Sequence, residues 1–395
     1  MPCKPPSSST PTVKISRRGV ERLKAGHVWV YRSDVVSADG VPPGSLVAVT
    51  DERGRFLGTA LYSSASQIAI RMVSREGVED FLPLLRQRIA NAIHYRERVV
   101  KDTDAYRVVF SEADFFPGLI VDRYNDLLSL QILTQAMDSE PVRQAVVSEL
   151  GARLAPAAIA ERVDPRIREL EQLPPRPSAL LSGEKSSTVF TMNGVRFHYE
   201  ALAGQKTGAF LDQRENYSAA AQYARGDALD VFCYQGGFAL HLAGAGCKVT
   251  GVDSSRPALE VAEQNAALNG RDIEWIEGNA FDLLREYADA GHQYETIVLD
   301  PPAFAKTKKN LDTALRGYKE LNLKALKMLR PGGTLVTCSC SYHVSATDFL
   351  GVVADSAHDV HRTIRLLENR TQAKDHPILL GVPETAYLKC LIVST

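Results

Sequence analysis

The chain has 395 residues, a formal net charge of −1 and an apolar fraction of 45%, a globular composition long enough for two or three domains. Near-neutrality excludes a wholly basic nucleic-acid binder, and no apolar run approaches the length of a membrane helix. The cysteines (Cys3, Cys233, Cys247, Cys338, Cys340 and Cys390) are scattered without a Cys-x-x-Cys pair, which excludes a disulfide framework and a zinc ribbon and predicts no metal and a reducing, cytoplasmic setting.

Residues 1–11 are rich in Pro and Ser and lack an apolar core segment, so they read as a disordered lead and not as a signal peptide. Between 12 and 75, short β-forming runs at 27–31, 45–50, 56–61 and 67–73 are separated by Gly, Pro, Asp and Ser, which predicts a small β-barrel. A helix-like stretch at 15–26 stops at Gly26. Lysines and arginines through residue 75 exceed the acids by roughly six charges. That excess fits a polyanion-binding module, as it also fits ordinary solvated surface.

Residues 76–190 read as a small α+β middle domain. A helix at about 80–100 carries Phe81, Leu84, Leu85, Ile89 and Ile93 on one face. Strands follow at 106–112, 119–122 and 127–133, then a helix at 140–154 and a charged, Pro-rich stretch at 162–177. Residues 188–202 return to strand around Asn193-Gly194, a hairpin signal because both residues tolerate the left-handed conformation.

The segment 191–395 then becomes a regular alternation. Strands at 229–232, 248–253, 273–277, 296–300 and 334–338 enclose helices at 238–244, 257–269, 280–290 and 311–329, which predicts a parallel sheet covered on both faces. A last apolar run at 385–393 is expected to join antiparallel at the sheet edge. Open sheets of this kind bind ligands at the carboxyl ends of their strands. Asp230, Asp253, Asn279-Ala280 and Asp300 all stand there. An acid at position 253 can accept both ribose hydroxyls of a nucleoside. The loop after Asp230, Cys233-Tyr234-Gln235-Gly236-Gly237-Phe238, is not Gly-x-Gly-x-x-Gly. Tyr234 and Gln235 would crowd a pyrophosphate, which needs bare backbone at a helix N-terminus. A nucleoside cofactor without phosphates fits better, and S-adenosylmethionine is the one expected.

Two neighbouring strand ends carry the chemistry. One ends in Asp300-Pro301-Pro302-Ala303-Phe304, the other in Thr337-Cys338-Ser339-Cys340-Ser341. A thiolate adding to C6 of a pyrimidine turns C5 into a nucleophile that can take a methyl group. Asp300 would hydrogen-bond the base near N3 and the exocyclic amine, and Phe304 would stack on the extruded base. Cys338 and Cys340 are two residues apart and can face one side of a strand; either could equally be a small buried residue.

The string Gly204-Gln205-Lys206-Thr207-Gly208-Ala209-Phe210-Leu211-Asp212-Gln213-Arg214 resembles the motif that precedes the sheet in the bacterial large-subunit ribosomal RNA methyltransferase I family, which are cytosine-C5 enzymes. Residues 229–238, Asp253, 300–304 and Ser339-Cys340-Ser341 match in the same order. Gly58, Ser66 and Ile70-Arg71 are similar to that family's PUA domain. The resemblance covers nearly the whole chain after Pro11. It implies an α/β class I S-adenosylmethionine methyltransferase with a Rossmann-like sheet, a PUA-type barrel and a middle domain. Lys206, Phe210, Gln213 and Arg214 would fold over the cofactor, with Arg214 on its carboxylate. Asp230, Tyr234 and Gly236 would line the cofactor loop, with Asp253 on the ribose and Asn279-Ala280 near the adenine. Cys340 would be the nucleophile, with Asp300 and Phe304 on the base and 5-methylcytosine in 23S ribosomal RNA as product. The implied partner is large-subunit ribosomal RNA and no membrane; oligomeric state is left open, a homodimer included. Ala303 stands where many cytosine methyltransferases carry a second cysteine, so the acceptor of the C5 proton is unassigned.

Two other readings stay open. The enzyme could methylate another base, uracil C5 included, or another position, with Cys340 inert in the case of an exocyclic amine. The chain could also be an RNA-binding ribosome-assembly protein that keeps a vestigial cofactor fold.

Overall fold

The structure is a computed structural model that describes residues 10–202, 209–305 and 307–395. Most of the expected lead and Lys206 lie outside the described residues. Contacts divide the chain into two compact units: Met1–Thr188, Tyr199–Gly208 and Lys374–Thr385 form one, and Val189–His198, Ala209–Ala373 and Ala386–Thr395 the other.

In the first unit, β1 (Thr12–Ile15), α1 (Arg17–Lys24), β2 (Trp29–Tyr31), β3 (Val35–Ser37), β4 (Leu46–Asp51), β5 (Phe56–Tyr62) and β6 (Ile68–Ser74) build a six-stranded sheet. Its order is β2-β6-β5-β4-β1-β3, around Val13, Ile15, Val30, Val47, Val49 and Ile70. After α2 (Phe81–Val99) come β7 (Ala105–Phe110), β8 (Leu119–Tyr124), β9 (Leu127–Ile132), α3 (Glu140–Leu154), β10 (Ala158–Glu161), α4 (Pro165–Leu170) and β11 (Ala179–Ser182). These strands form a second sheet, β11-β10-β9-β8-β7, whose core includes the α2 residues Leu85, Ile89 and Ile93. The stretch read only as charged and Pro-rich contains α4, started by Pro165 behind the Asp164 cap. It holds a buried cation as well: Arg168 reaches both carboxylate oxygens of Asp138 at 3.2 Å.

β12 (Ser187–Met192) and β13 (Val195–Glu200) form the expected hairpin. Asn193 and Gly194 both adopt positive φ, 50° and 80°, the requirement of a two-residue turn that matches strand twist.

The second unit carries α5 (Arg214–Tyr223), β14 (Asp227–Val231), α6 (Gly237–Gly244), β15 (Lys248–Asp253), α7 (Arg256–Leu268), β16 (Ile273–Glu277), α8 (Ala280–Asp289), β17 (Tyr294–Leu299), α9 (Leu311–Met328), β18 (Leu329–Ser339), α10 (Ala346–Asp359), β19 (Arg365–Arg370) and β20 (Lys389–Ser394). The sheet order is β16-β15-β14-β17-β18-β20-β19, parallel through β18 and antiparallel beyond it. The chain moves outward from β14 to β16, then returns to the other side of β14 as β17. Strand order therefore reverses between β14 and β17, and a crevice opens at their carboxyl ends.

One expectation needs correction. The last strand is not the edge: β20 lies between β18 and β19. The edge is β19, Arg365–Arg370, whose sequence RLLENR sets Leu366-Leu367 among charged and polar residues and shows no apolar alternation. Charges suit an edge strand, where they discourage pairing with other chains, and they hide it from a hydrophobic reading. Helix α10 was missed as well, although Ser345 and Asp348 form a complete capping box.

Gly251 in β15 sits under the Trp275 ring of β16, where an added Cβ would stand 2.5 Å from Trp275 Cζ3. Gly251→Ala should therefore destabilise the protein by about 1–3 kcal/mol through overpacking, read as a lower denaturant midpoint, and Trp275→Leu in the same chain should recover part of the loss.

Candidate active site

Four consecutive strand ends position the site. β14 ends in Asp230 and Val231, and Asp230 is fully buried. Its Oδ2 accepts the Ala239 N–H of helix α6 at 2.8 Å, while its Oδ1 is buried with no hydrogen-bond partner among the described residues. Burial pushes this carboxyl up to about 8; the charges of Asp300 and Asp253 act in the same direction, against the Ala239 N–H. Asp253, at the end of β15, is half-buried and better satisfied. Its two oxygens accept the N–H groups of Tyr234 and Ser255, each at 2.9 Å. Asp300 follows β17, and its Oδ1 accepts the Gln213 amide at 3.0 Å.

The loop between β14 and α6 is strained. Phe232, Tyr234 and Gly236 all have positive φ, at 67°, 50° and 85°. Such a conformation costs a residue with a side chain about 1–3 kcal/mol and persists only where its surroundings impose it. Here they do: Phe232 and Cys233 both donate to Val252 O, and Tyr234 donates to Asp253. Gly236 is the residue before α6, and a Cβ on it would meet the Trp275 ring at 2.9 Å. Gly237 leaves room for Tyr217, whose hydroxyl lies 2.6 Å from where a Cβ would be. A small cavity opens beside this loop, lined among others by Phe210, Tyr217, Tyr234, Gln235, Phe238 and Asp300. The Phe210 and Tyr234 rings stand 5.0 Å apart across it, tilted.

On the far side of Asp300, Cys340 follows the last residue of β18 and is half-exposed. Its Sγ lies 3.8 Å from the carbonyl of Pro301, so thiol and acid loop touch. Ser341 locks this arrangement: its Oγ lies 2.9 Å from the Tyr318 hydroxyl and accepts the Ala305 N–H at 3.2 Å. Cys338 lies inside the sheet, fully buried opposite Cys390. Burial, reinforced by Cys390, pushes its thiol well above the usual range.

The comparisons with known proteins bear on this arrangement. The PUA-like domain family matches residues 13–75, and the S-adenosylmethionine-dependent methyltransferase family matches residues 128–392. The ribosomal RNA large subunit methyltransferase I of Shewanella amazonensis is 38% identical over 394 residues, covering 96% of this chain and 98% of that one. Its counterpart in Shewanella denitrificans is 38% identical over 387 residues, with 95% and 97% coverage. The chain belongs to this methyltransferase family. The crystal structure of SMU.776 complexed with SAH shares the fold, with a TM-score of 0.83 at 19% identity over 97% of this chain and all of that one.

Within that family fold, the expected residues fall into distinct places. Phe210, Tyr234 and Asp300 meet at the cavity. Gln213 is buried and bonds Asp300 and Asn216, so it holds the acid. Arg214 is 2% exposed, with Glu215 3.7 Å away. Asn279 caps α8 through bonds to Phe281 and Asp282, with Ala280 buried behind it. The half-buried Phe304 ring packs on Tyr318 at 4.8 Å and Phe281 at 6.0 Å. Sequence reading missed Tyr217 and Tyr318, both aromatics at helical spacing that read as ordinary core. It also missed Lys389, which lies in an apolar run that gives no sign of a site.

The buried Asp230 carboxyl makes a testable mark on stability. Its folded value of about 8 lies above the ordinary 3.8, so ionisation favours the unfolded chain, and stability falls as pH rises from about 4 to about 8. Asp230→Asn keeps an oxygen for Ala239 and should flatten that part of the stability profile, as measured by denaturant unfolding across this range.

Proposed function

We propose that this protein methylates C5 of a cytosine in large-subunit ribosomal RNA, through a covalent adduct on Cys340. The methyl donor of the family is S-adenosylmethionine. The curated relatives at 38% identity are named for the large-subunit ribosomal RNA, and the PUA-like domain at 13–75 holds the excess of basic residues, suited to a phosphate backbone.

The observation that carries the covalent reading is the contrast among thiols. Of the described cysteines only Cys340 is not buried, and it is the one in contact with the acid loop. A thiolate must reach its target, whereas Cys338 is enclosed and held protonated.

The residues present fit the cofactor. Asp253 and Asp300 stand at the strand ends of the crevice, and behind them lies Asp230, a buried carboxyl that holds its proton to about pH 8 and has one oxygen with no partner among the described residues. Such a site suits a cationic ligand and disfavours a pyrophosphate. When bound, the cofactor supplies an electrophilic methyl group on a positively charged sulfur. Asp253 would accept the ribose hydroxyls while its N–H contacts hold it in place. Phe210 and Tyr234 would enclose the sulfonium end, where aromatic faces attract a cation. Cys340 would add to C6, its sulfur pair forming the new bond as the C5–C6 π pair shifts onto C5, in conjugation with C4 and N3. Asp300, held by Gln213, would take a hydrogen bond from the exocyclic amine. After C5 takes the methyl group, whose bond to the donor sulfur would break with both electrons left on that sulfur, the C5 proton leaves to a base, the C5–C6 double bond reforms and the thiolate is released.

Asp253→Ala should weaken cofactor binding by about 1.5–3 kcal/mol, the range for a hydrogen bond to a charged group; calorimetry on the folded variant reads it directly. Cys340→Ala should abolish methyl transfer and covalent trapping on 5-fluorocytosine RNA while still binding cofactor. Cys338→Ala should keep most activity. A Cys340→Ala enzyme that still methylates C5 would overturn the covalent reading, and activity lost only in Cys338→Ala would assign the reaction to the other thiol.

A further inference from the structure

Lys389 is the first residue of β20 and only 8% exposed. It pairs in register with Ser339, the last residue of β18, so it enters the sheet beside the thiol loop. Its ammonium donates to two carbonyls, Ser341 O at 2.6 Å and Tyr387 O at 2.8 Å. Among the described residues no carboxylate pairs with it. An ammonium has three N–H groups, so one remains after these two bonds. Burial pushes the ammonium down to about 8, and the neighbouring Cys340 acts in the opposite direction.

A buried cation without a carboxylate is costly, and an apolar residue of similar volume would be cheaper for the fold. The fold alone gives no reason to keep one. The site does, because thiolates are favoured beside a lysine.

We propose that Lys389 is the positioning cation of Cys340: anchored by the carbonyls of Ser341 and Tyr387, its charge holds the thiol in its reactive, ionised form. The inference rests on the reading of Cys340 as nucleophile. The proton of Cys340 leaves to water, its bonding pair stays on sulfur, and the ammonium, anchored on the carbonyl of the next residue, stabilises the charge that results. When sulfur adds to the base, that negative charge moves into the ring; when the product is released it returns to sulfur, and Lys389 stabilises the leaving thiolate in the same way. Among the described residues the titratable groups near this pair include Asp300 just after β17, the paired thiols Cys338 and Cys390 on β18 and β20, Tyr318 on α9, whose hydroxyl bonds Ser341, and Asp212, which accepts the Tyr387 hydroxyl at 2.6 Å.

The test is the pH dependence of Cys340 alkylation by iodoacetamide in the full chain, without cofactor or RNA, followed on the Cys340 peptide by mass spectrometry. In the unsubstituted protein the midpoint should lie below the ordinary thiol value of about 8.5. Lys389→Gln retains hydrogen-bond donors but no charge; it should raise the midpoint by about one unit and slow alkylation at neutral pH about tenfold. Lys389→Arg should recover most of that loss. An ordinary midpoint in the unsubstituted protein would overturn the proposal without reference to any variant. So would an unshifted midpoint in a Lys389→Gln protein that melts normally and binds cofactor. Loss of the covalent reading shows separately, as methyl transfer that survives in Cys340→Ala.

Discussion

Three carboxylates brought to the ends of three adjacent parallel strands are the constraint around which the second unit is arranged. Like charges this close cannot all ionise freely, and the protein treats each one differently. Asp230 is buried and holds its proton to about pH 8. Asp253 accepts two backbone N–H groups. Asp300 takes the Gln213 amide. What remains is a crevice with a standing preference for positive charge, and a sulfonium cofactor carries that charge without needing a phosphate cradle.

The strained loop follows from the same constraint. Tyr234 must turn its N–H toward Asp253, and it does so by adopting a left-handed backbone between two others. Tyr217 packs into the space that Gly237 leaves, and Trp275 covers Gly236 and Gly251. Large rings over bare backbone therefore hold the loop, where a phosphate-binding fold would leave the backbone open for its ligand. The loop's glycines serve ring packing as much as turning.

Much of this was legible in the sequence because the parallel strands announce themselves: an apolar run, then an acid. Asp230, Asp253 and Asp300 were found by that rule alone. Alternation puts Cys338 and Cys340 on one side of a strand, so the choice of Cys340 rested on the family motif and its expected place beyond the strand end. The structure ends β18 at Ser339, with Cys338 buried within the strand and Cys340 less buried after it. The edge strand β19 was invisible because two adjacent leucines among charged residues give no strand alternation, and β20 was misplaced as a result. Lys389 was illegible for a related reason. A lysine opening the run Lys-Cys-Leu-Ile-Val reads as a solvated strand start, and its burial arises from pairing with β18, some fifty residues earlier in the chain.

The position of β20 has a further consequence for how the molecule comes into being. Ribosomes deliver β19 before β20, yet β19 has β20 as its sheet neighbour. A nascent chain that has reached only residue 370 therefore presents β18 with an unpaired edge and has no place to dock β19. Pairings of this kind are slow to form and leave apolar edges uncovered meanwhile. Lys389, which bonds the carbonyl of the residue after Cys340, arrives in the same late segment. Synthesis thus imposes an order on the molecule: the cofactor crevice between β14 and β17 can close while the ribosome is still at work, and the thiol acquires its cationic neighbour only as the last strand slots in.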